Sequence, residues 1–469
     1  MSDRQITESE KQLVTDMIIK ARAAMKAIEK YDQAQVDRIC QAIGWALANE
    51  NTFTRLAHQS VVESGLGDYN GRPNKRFKIM GILRDVLRQK SVGIIEENSE
   101  KGIVKYAKPV GVIASLVPTT NPVLTPAGVS LFAFKCKDAV IFSPHPRSKN
   151  TTYEAVEIMR SVLTKLGAPA DIVQCIQNPS IPLTQNLMAN CDLVQATGGH
   201  AMVVAAYSSG KPAFGVGAGN STMIIDETAN IEEAARNTRT SKISDFGSGC
   251  SADGNLIIDS TIYDQMIEQL QAEGGYLVTS EERSKLRNAL WDAAGHRTSN
   301  TVAIAAEKIA AIAGFEIPPD KTFFIVEGDG IGKDHLFSSE KLSVVLATYR
   351  YSGFNQALEM MKEIFEVGGK GHSCGIYSFD DEHIHRLAME APVSRIMVRQ
   401  PQSKANAGAF NNGMPMTSSM GCGTWGGNIT SENITLKHYM NVTWVSRPIP
   451  EDRPSEKELF GEFFNTETY

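Results

Sequence analysis

Five short apolar runs, at residues 110–116, 139–143, 172–176, 193–196 and 222–225, are separated by stretches whose apolar side chains return at helical spacing. No other feature restricts so strongly what this chain can fold into. Tyr153, Val156, Met159, Val162 and Leu166 show the helical spacing, and Gly167-Ala168-Pro169 ends it. Strands alternating with helices predict a parallel sheet covered on both faces, because each parallel connection must cross over and a helix is the usual way to do so. A second alternation, from about residue 231 to residue 398, predicts a second such layer and contains Cys250. The fold class is therefore α/β.

The flanking segments differ. Residues 9–89 are helical in pattern, with Leu13, Met17, Ile18, Ala21, Met25 and Ile28 on one stripe. Residues 92–97 and 103–107 alternate apolar and polar side chains around Asn98-Ser99-Glu100-Lys101-Gly102, which predicts a hairpin. Residues 400–428 are loop-like, and 436–445 form a candidate late strand. The expected division is residues 1–91 with 109–227 as one domain and 228–435 as the other. Residues 92–108 and 436–447 are then oligomerisation elements of a homodimer or homotetramer.

Composition excludes several classes. A formal net charge of -6 and no arginine–lysine block argue against nucleic acid as a partner. The polar start, residues 1–12, and the lack of any apolar run of membrane length predict a soluble, cytoplasmic protein with no membrane partner. Seven scattered cysteines with no Cys-x-x-Cys spacing predict reduced thiols. No metal site is expected: His383 and His385 follow Asp380, Asp381 and Glu382 in what reads as a solvated helix start, and there is no His-Glu-x-x-His.

The chemistry concentrates in loops. Cys250 lies in Asp245-Phe246-Gly247-Ser248-Gly249-Cys250-Ser251-Ala252-Asp253-Gly254, a permissive backbone in which a thiol can face a cleft. Cys422, in Gly421-Cys422-Gly423-Thr424-Trp425-Gly426-Gly427, is a rival nucleophile that composition does not separate from it. Ala196-Thr197-Gly198-Gly199-His200 ends a strand and opens a helix, where free N–H groups suit a phosphate or ribose; it also fits an ordinary strand-to-helix turn. Phe214-Gly215-Val216-Gly217-Ala218-Gly219-Asn220 lacks the Rossmann spacing and instead suits close backbone approach to a ligand or the thiol. In Pro118-Thr119-Thr120-Asn121-Pro122 the asparagine amide is either a stiff oxyanion donor or part of a turn.

Taken in order, these motifs resemble the aldehyde dehydrogenase superfamily, and its CoA-acylating branch in particular, which implies an aldehyde dehydrogenase-like fold of two Rossmann-like α/β domains with a small oligomerisation hairpin and tail. The resemblance extends through Ala107-Lys108-Pro109-Val110-Gly111-Val112, Ser143-Pro144-His145-Pro146-Arg147, Ala206-Tyr207-Ser208-Ser209-Gly210 and Met420-Gly421-Cys422. It implies that Cys250 attacks an aldehyde as a thiolate and that Asn121 and the Cys250 N–H hold the oxyanion. Hydride then passes to a nicotinamide, and CoA releases the thioester. Hydrolytic relatives carry a glutamate base in Glu-Leu-Gly-Gly, where this chain has Gly217-Ala218-Gly219-Asn220, so water is a poor acyl acceptor.

The resemblance also implies cofactor contacts at Thr119, His145, Arg147, Thr197, Gly198, Gly199, Gly217 and Glu340, the last on the nicotinamide ribose. His372 matches a histidine common in the acylating branch and is assigned to the substrate. Pro144-His145-Pro146-Arg147-Ser148-Lys149 carries basic residues and no carboxylate to repel a 2′-phosphate, which favours NADP over NAD. Ser248 and Gly249 replace apolar residues usual beside the thiol. With Arg395 and Arg399 they predict a small aldehyde bearing an anionic head, as in relatives acting on sulfoacetaldehyde or succinate semialdehyde, the former preferred, although each arginine taken singly reads rather as a surface or structural residue.

Overall fold

The computed structural model describes residues 4–464. In chain order its strands are β1 (Ile94–Asn98), β2 (Ile103–Pro109), β3 (Val112–Val117), β4 (Ala139–Pro144), β5 (Val173–Cys175) and β6 (Leu193–Thr197). There follow β7 (Ala213–Val216), β8 (Thr222–Ile225), β9 (Asn255–Asp259), β10 (Gly275–Leu277) and β11 (Phe323–Glu327). The last four are β12 (Val345–Tyr351), β13 (Cys374–Tyr377), β14 (Ile396–Val398) and β15 (Met440–Ser446).

A five-stranded parallel sheet runs β5-β4-β3-β6-β7. Strands β3 and β4 are buried along their whole length, as two-sided covering requires. The helix Leu124–Lys135, which follows β3, is apolar round its circumference and buried at every position, packed between the sheet and the helices Gln33–Ala48 and Arg76–Leu87. Each large aliphatic side chain buried there contributes about 1.5–3 kcal/mol. The order reverses at β3, so the carboxyl ends of β3 and β6 border the crevice where such sheets take ligands.

A seven-stranded parallel sheet, β10-β11-β12-β9-β8-β13-β14, forms the second layer. One expectation is corrected here. The apolar run at 222–225 does not join the first sheet; β8 lies between β9 and β13 in the second. The edge of the first sheet is taken by β7, whose Ala-Phe-Gly-Val sequence is too short and glycine-broken to stand out. The chain therefore changes sheets in the glycine segment before β8, upstream of the expected boundary at residue 227.

Strands β1, β2 and β15 make a separate antiparallel sheet. The late strand begins at Met440; Leu436–Tyr439 form a 3-10 turn instead. From Asn441 to Ser446 every residue of β15 is exposed. Among the described residues, no helix is long and apolar enough to cross a membrane.

Candidate active site

The cysteine loop begins where the helix Ile231–Lys242 ends. Asp245 (φ 50°), Phe246 (φ 52°) and Gly247 (φ 69°) are all left-handed and fold the chain back toward β9. For residues with a Cβ this conformation costs roughly 1–2 kcal/mol each, so the surroundings must hold it. Asp245 supplies the hold. Its carboxylate accepts from the Asp68 N–H (2.8 Å), Arg72 Nε (3.1 Å) and Nη2 (3.0 Å), Lys75 Nζ (2.7 Å) and Ser248 Oγ (2.8 Å). Burial alone would raise its pKa, but Lys75 and Arg72 hold it well below the usual carboxylate range.

Lys75 carries the network onward. Its Nζ also donates to Asn121 Oδ1 (2.8 Å) and to the Thr120 carbonyl (3.1 Å). Fixing Oδ1 fixes the amide plane, leaving the Nδ2 donors, which have no partner among the described residues, turned away from Lys75. Thr119, at the same end of β3, is buried. Asn121 and the cysteine loop are thus tied through one lysine and one aspartate.

Cys250 is part-exposed as a residue, and His372 Nε2 lies 3.0 Å from its Sγ. His372 is fully buried, and its carbonyl accepts from Arg395 Nη1. Burial, with Arg395 nearby, pushes the imidazole down to about 3. Burial first, then Glu340 and Cys422, push the thiol up to about 12, against the pull of Arg395. The resting pair is therefore neutral thiol and neutral imidazole. His372, assigned to the substrate from the sequence, also stands 3.0 Å from the thiol, placed to take its proton as the bond to carbon forms.

Glycine is required on the opposite side. A Cβ at Gly219 would stand 1.9 Å from the Cys250 carbonyl oxygen. Gly217, by contrast, would give its Cβ only ordinary contacts, 3.7 Å to Cys422 Sγ and 3.8 Å to the Gly426 carbonyl. One carboxyl group does line the same small pocket as Cys250: Glu340, whose Oε1 accepts from the Gly219 N–H (3.0 Å). Burial raises it to about 7. Cys422 is fully buried, with its Sγ 3.7 Å from the Met420 carbonyl.

Three substrate assignments are corrected. Arg395 gives its Nη1 and Nη2 to the carbonyls of His372, Gly421 and Ser431, and so clamps loops, as its reading as a structural arginine expects. Arg399 donates to the Ser378 carbonyl and stacks over Phe379 at 4.2 Å, with no bond to the thiol loop. Ser248 gives its one proton to Asp245. Gly249 is exposed, and a Cβ there would meet only Ser251 Oγ at 4.0 Å, so this position does leave room beside the thiol.

The residues at the ends of β3, β4 and β6 fit a nicotinamide dinucleotide. The helix His200–Tyr207 opens at Gly199 with no side-chain cap among the described residues, and a Cβ at Gly199 would meet nothing within 4 Å. Thr197 Oγ1 is bonded to Ser419 Oγ (2.9 Å). His145 Nδ1 accepts from the Arg147 N–H, and Arg147 reaches the Ser64 carbonyl. A carboxylate does lie nearby, contrary to expectation: Glu63 accepts from the N–H groups of Asn150 and Thr151. It comes from a distant helix, where local sequence gives no sign of it.

The sequence of residues 4–445 matches the model of the aldehyde dehydrogenase family, and the chain belongs to that family. A sulfoacetaldehyde dehydrogenase of Acholeplasma sp is 44% identical over 96% of this chain and 94% of its own. An acylating sulfoacetaldehyde dehydrogenase of Bilophila wadsworthia is 40% identical over 96% of this chain and 98% of its own. The crystal structure of an acetylating aldehyde dehydrogenase from Geobacillus thermoglucosidasius superimposes with a TM-score of 0.92 at 34% identity, covering 95% of this chain and 99% of that one.

Sequence reasoning missed Arg72, Lys75 and the hub role of Asp245. The signal available was weak: Asp245 opened the cysteine motif, but its cationic partners lie more than a hundred residues upstream.

Proposed function

We propose that this protein oxidises a small anionic aldehyde, sulfoacetaldehyde by preference, and passes the acyl group to CoA. The observation that carries this is the Cys250–His372 pair at 3.0 Å with Gly217, not a carboxylate, at the place of the water-activating base. His372 Nε2 takes the Cys250 proton while sulfur bonds to the aldehyde carbon. Asn121 Nδ2 and the Cys250 N–H receive the oxyanion. A bound nicotinamide dinucleotide supplies the hydride acceptor, with Thr119, Thr197, Gly198, Gly199, Gly217 and Glu340 holding it. Once His372 has released the first proton to solvent, the thioester on Cys250 is attacked by the CoA thiol, whose proton His372 accepts and returns to the Cys250 sulfur as the acyl-CoA departs.

NADP is the proposed dinucleotide, with NAD also accepted: exposed Arg147 and neighbouring His145 favour a 2′-phosphate, while Glu63 opposes it. Residue 249 leaves space for the substrate head. The exposed β15 edge supports pairing of subunits into a homodimer or homotetramer, and the expected location is the cytoplasm.

The test follows reduced-cofactor absorbance with sulfoacetaldehyde or succinate semialdehyde, with and without CoA. The expected result is a burst of one turnover without CoA and steady turnover with it, faster for sulfoacetaldehyde. Steady turnover without CoA contradicts the proposal.

A further inference from the structure

Behind His372 lies a closed ring of polar groups that the reaction just described does not use. His372 Nδ1 is 2.8 Å from Ser373 Oγ, which is 3.2 Å from Ser221 Oγ, which in turn donates to the carbonyl of Cys250 itself (3.4 Å). Asn406 Nδ2 also donates to Ser373 Oγ (3.0 Å). His372, Ser373 and Asn406 are fully buried and Ser221 nearly so, so none of these groups can turn to solvent instead.

The proton positions follow by elimination. Gln402 points its Nε2 at the Thr222 carbonyl, so its Oε1 faces Asn406, and the donor end of Asn406 is the one that meets Ser373. Ser221 has one proton, and the Cys250 carbonyl can only accept, so that proton lies on the carbonyl side. The Ser221 oxygen must then accept from Ser373. Having given its only proton, Ser373 accepts from both Asn406 and His372. Nδ1 of His372 therefore carries the ring proton, and Nε2 presents a lone pair to the thiol. Any other arrangement of a neutral imidazole loses one of the five hydrogen bonds.

We propose that Ser373, backed by Ser221 and Asn406, is a positioning residue that holds His372 in the one tautomer able to take the proton of Cys250. The inference rests on His372 being the base of the proposed reaction. When the thiol S–H breaks and Nε2–H forms, the electron pair left on sulfur bonds to the aldehyde carbon. The new positive charge on the ring is met by the Nδ1–H bond to Ser373, and no proton moves further along the ring. Arg395, Glu340 and Cys422 are the charged or titratable groups facing the pair; none of them belongs to the ring.

The test is the pH profile of Cys250 alkylation by iodoacetamide, which needs neither aldehyde nor cofactor, measured beside kcat and KM. Ser373→Ala is expected to slow alkylation roughly tenfold to a hundredfold near neutral pH and to move the profile upward. Nucleotide affinity should stay unchanged, and Ser373→Thr, which keeps the hydroxyl, should recover most of the rate. Ser221→Ala, which removes the acceptor for the Ser373 proton, should give the same direction of change and carries the test if Ser373→Ala does not fold. A native profile in the folded Ala variants overturns the proposal. His372→Ala separates the two readings: if it slows alkylation while Ser373→Ala does not, only the positioning role of Ser373 fails, and if neither matters, His372 is not the base.

Discussion

Cys250 and Cys422 both occupy glycine-rich loops, each next to glycine, yet their surroundings have little in common. Cys250 is part-exposed, faces His372 and belongs to a loop pinned by Asp245. Cys422 is sealed, its sulfur near the Met420 carbonyl and its N–H bonded to Asn428. Burial raises both thiols, so resting charge does not distinguish them. What distinguishes them is a histidine nitrogen 3.0 Å from the Cys250 sulfur and the part-exposure of that residue. A nucleophile is made here by what stands across from it, not by its neighbours in sequence.

The sharpest way to break this contrast is to remove each sulfur in turn. Cys250→Ala should lower CoA-dependent turnover by at least about a thousandfold, whereas Cys422→Ala should keep kcat within a few-fold and lower stability by about 1 kcal/mol. Equal losses in the steady-state assay would end the distinction. His372→Ala should come next, lowering kcat/KM for the aldehyde by roughly a hundredfold or more with nucleotide binding intact.

Asp245→Asn tests the hold on the loop. Arg72 would lose its buried counter-charge, and about 3–5 kcal/mol of stability should go with it, seen as a lower Tm at pH 7. The sign with pH follows from a carboxylate held below its usual range. Its stabilisation is present above the unfolded-state value near pH 4 and lost below it, so the native protein and the variant should converge in acid.

Much of this contrast was open to sequence and part was not. Alternating periodicity is a local signal, and it announced the two sheets; the order of motifs pointed to Cys250 and Asn121 as the reacting pair. What stayed hidden depended on distant partners. Ser248 reads as a polar pocket wall until Asp245 is seen to take its proton, and Arg395 reads as a free charge until three carbonyls are seen around it. His372 was noticed, but its role needed a distance. The sheet change before β8 escaped because β7 is too short to signal itself.

Two smaller effects sharpen the account. Gly217→Glu has room for a side chain and should add slow, CoA-independent turnover, detected as steady reduced-cofactor production without CoA. Glu340, raised to about 7, keeps its proton in the folded state where the unfolded chain has lost it. Native stability should therefore fall as pH rises from about 4.5 to 7, and Glu340→Gln should flatten that slope in thermal melts.

The most direct measurement is peptide mass mapping of protein incubated with sulfoacetaldehyde and NADP+ in the absence of CoA. The expected result is one acyl group, on the peptide containing Cys250 and none on that containing Cys422, persisting in water and released on adding CoA. An adduct on Cys422, or one that water clears as fast as CoA does, would contradict the account.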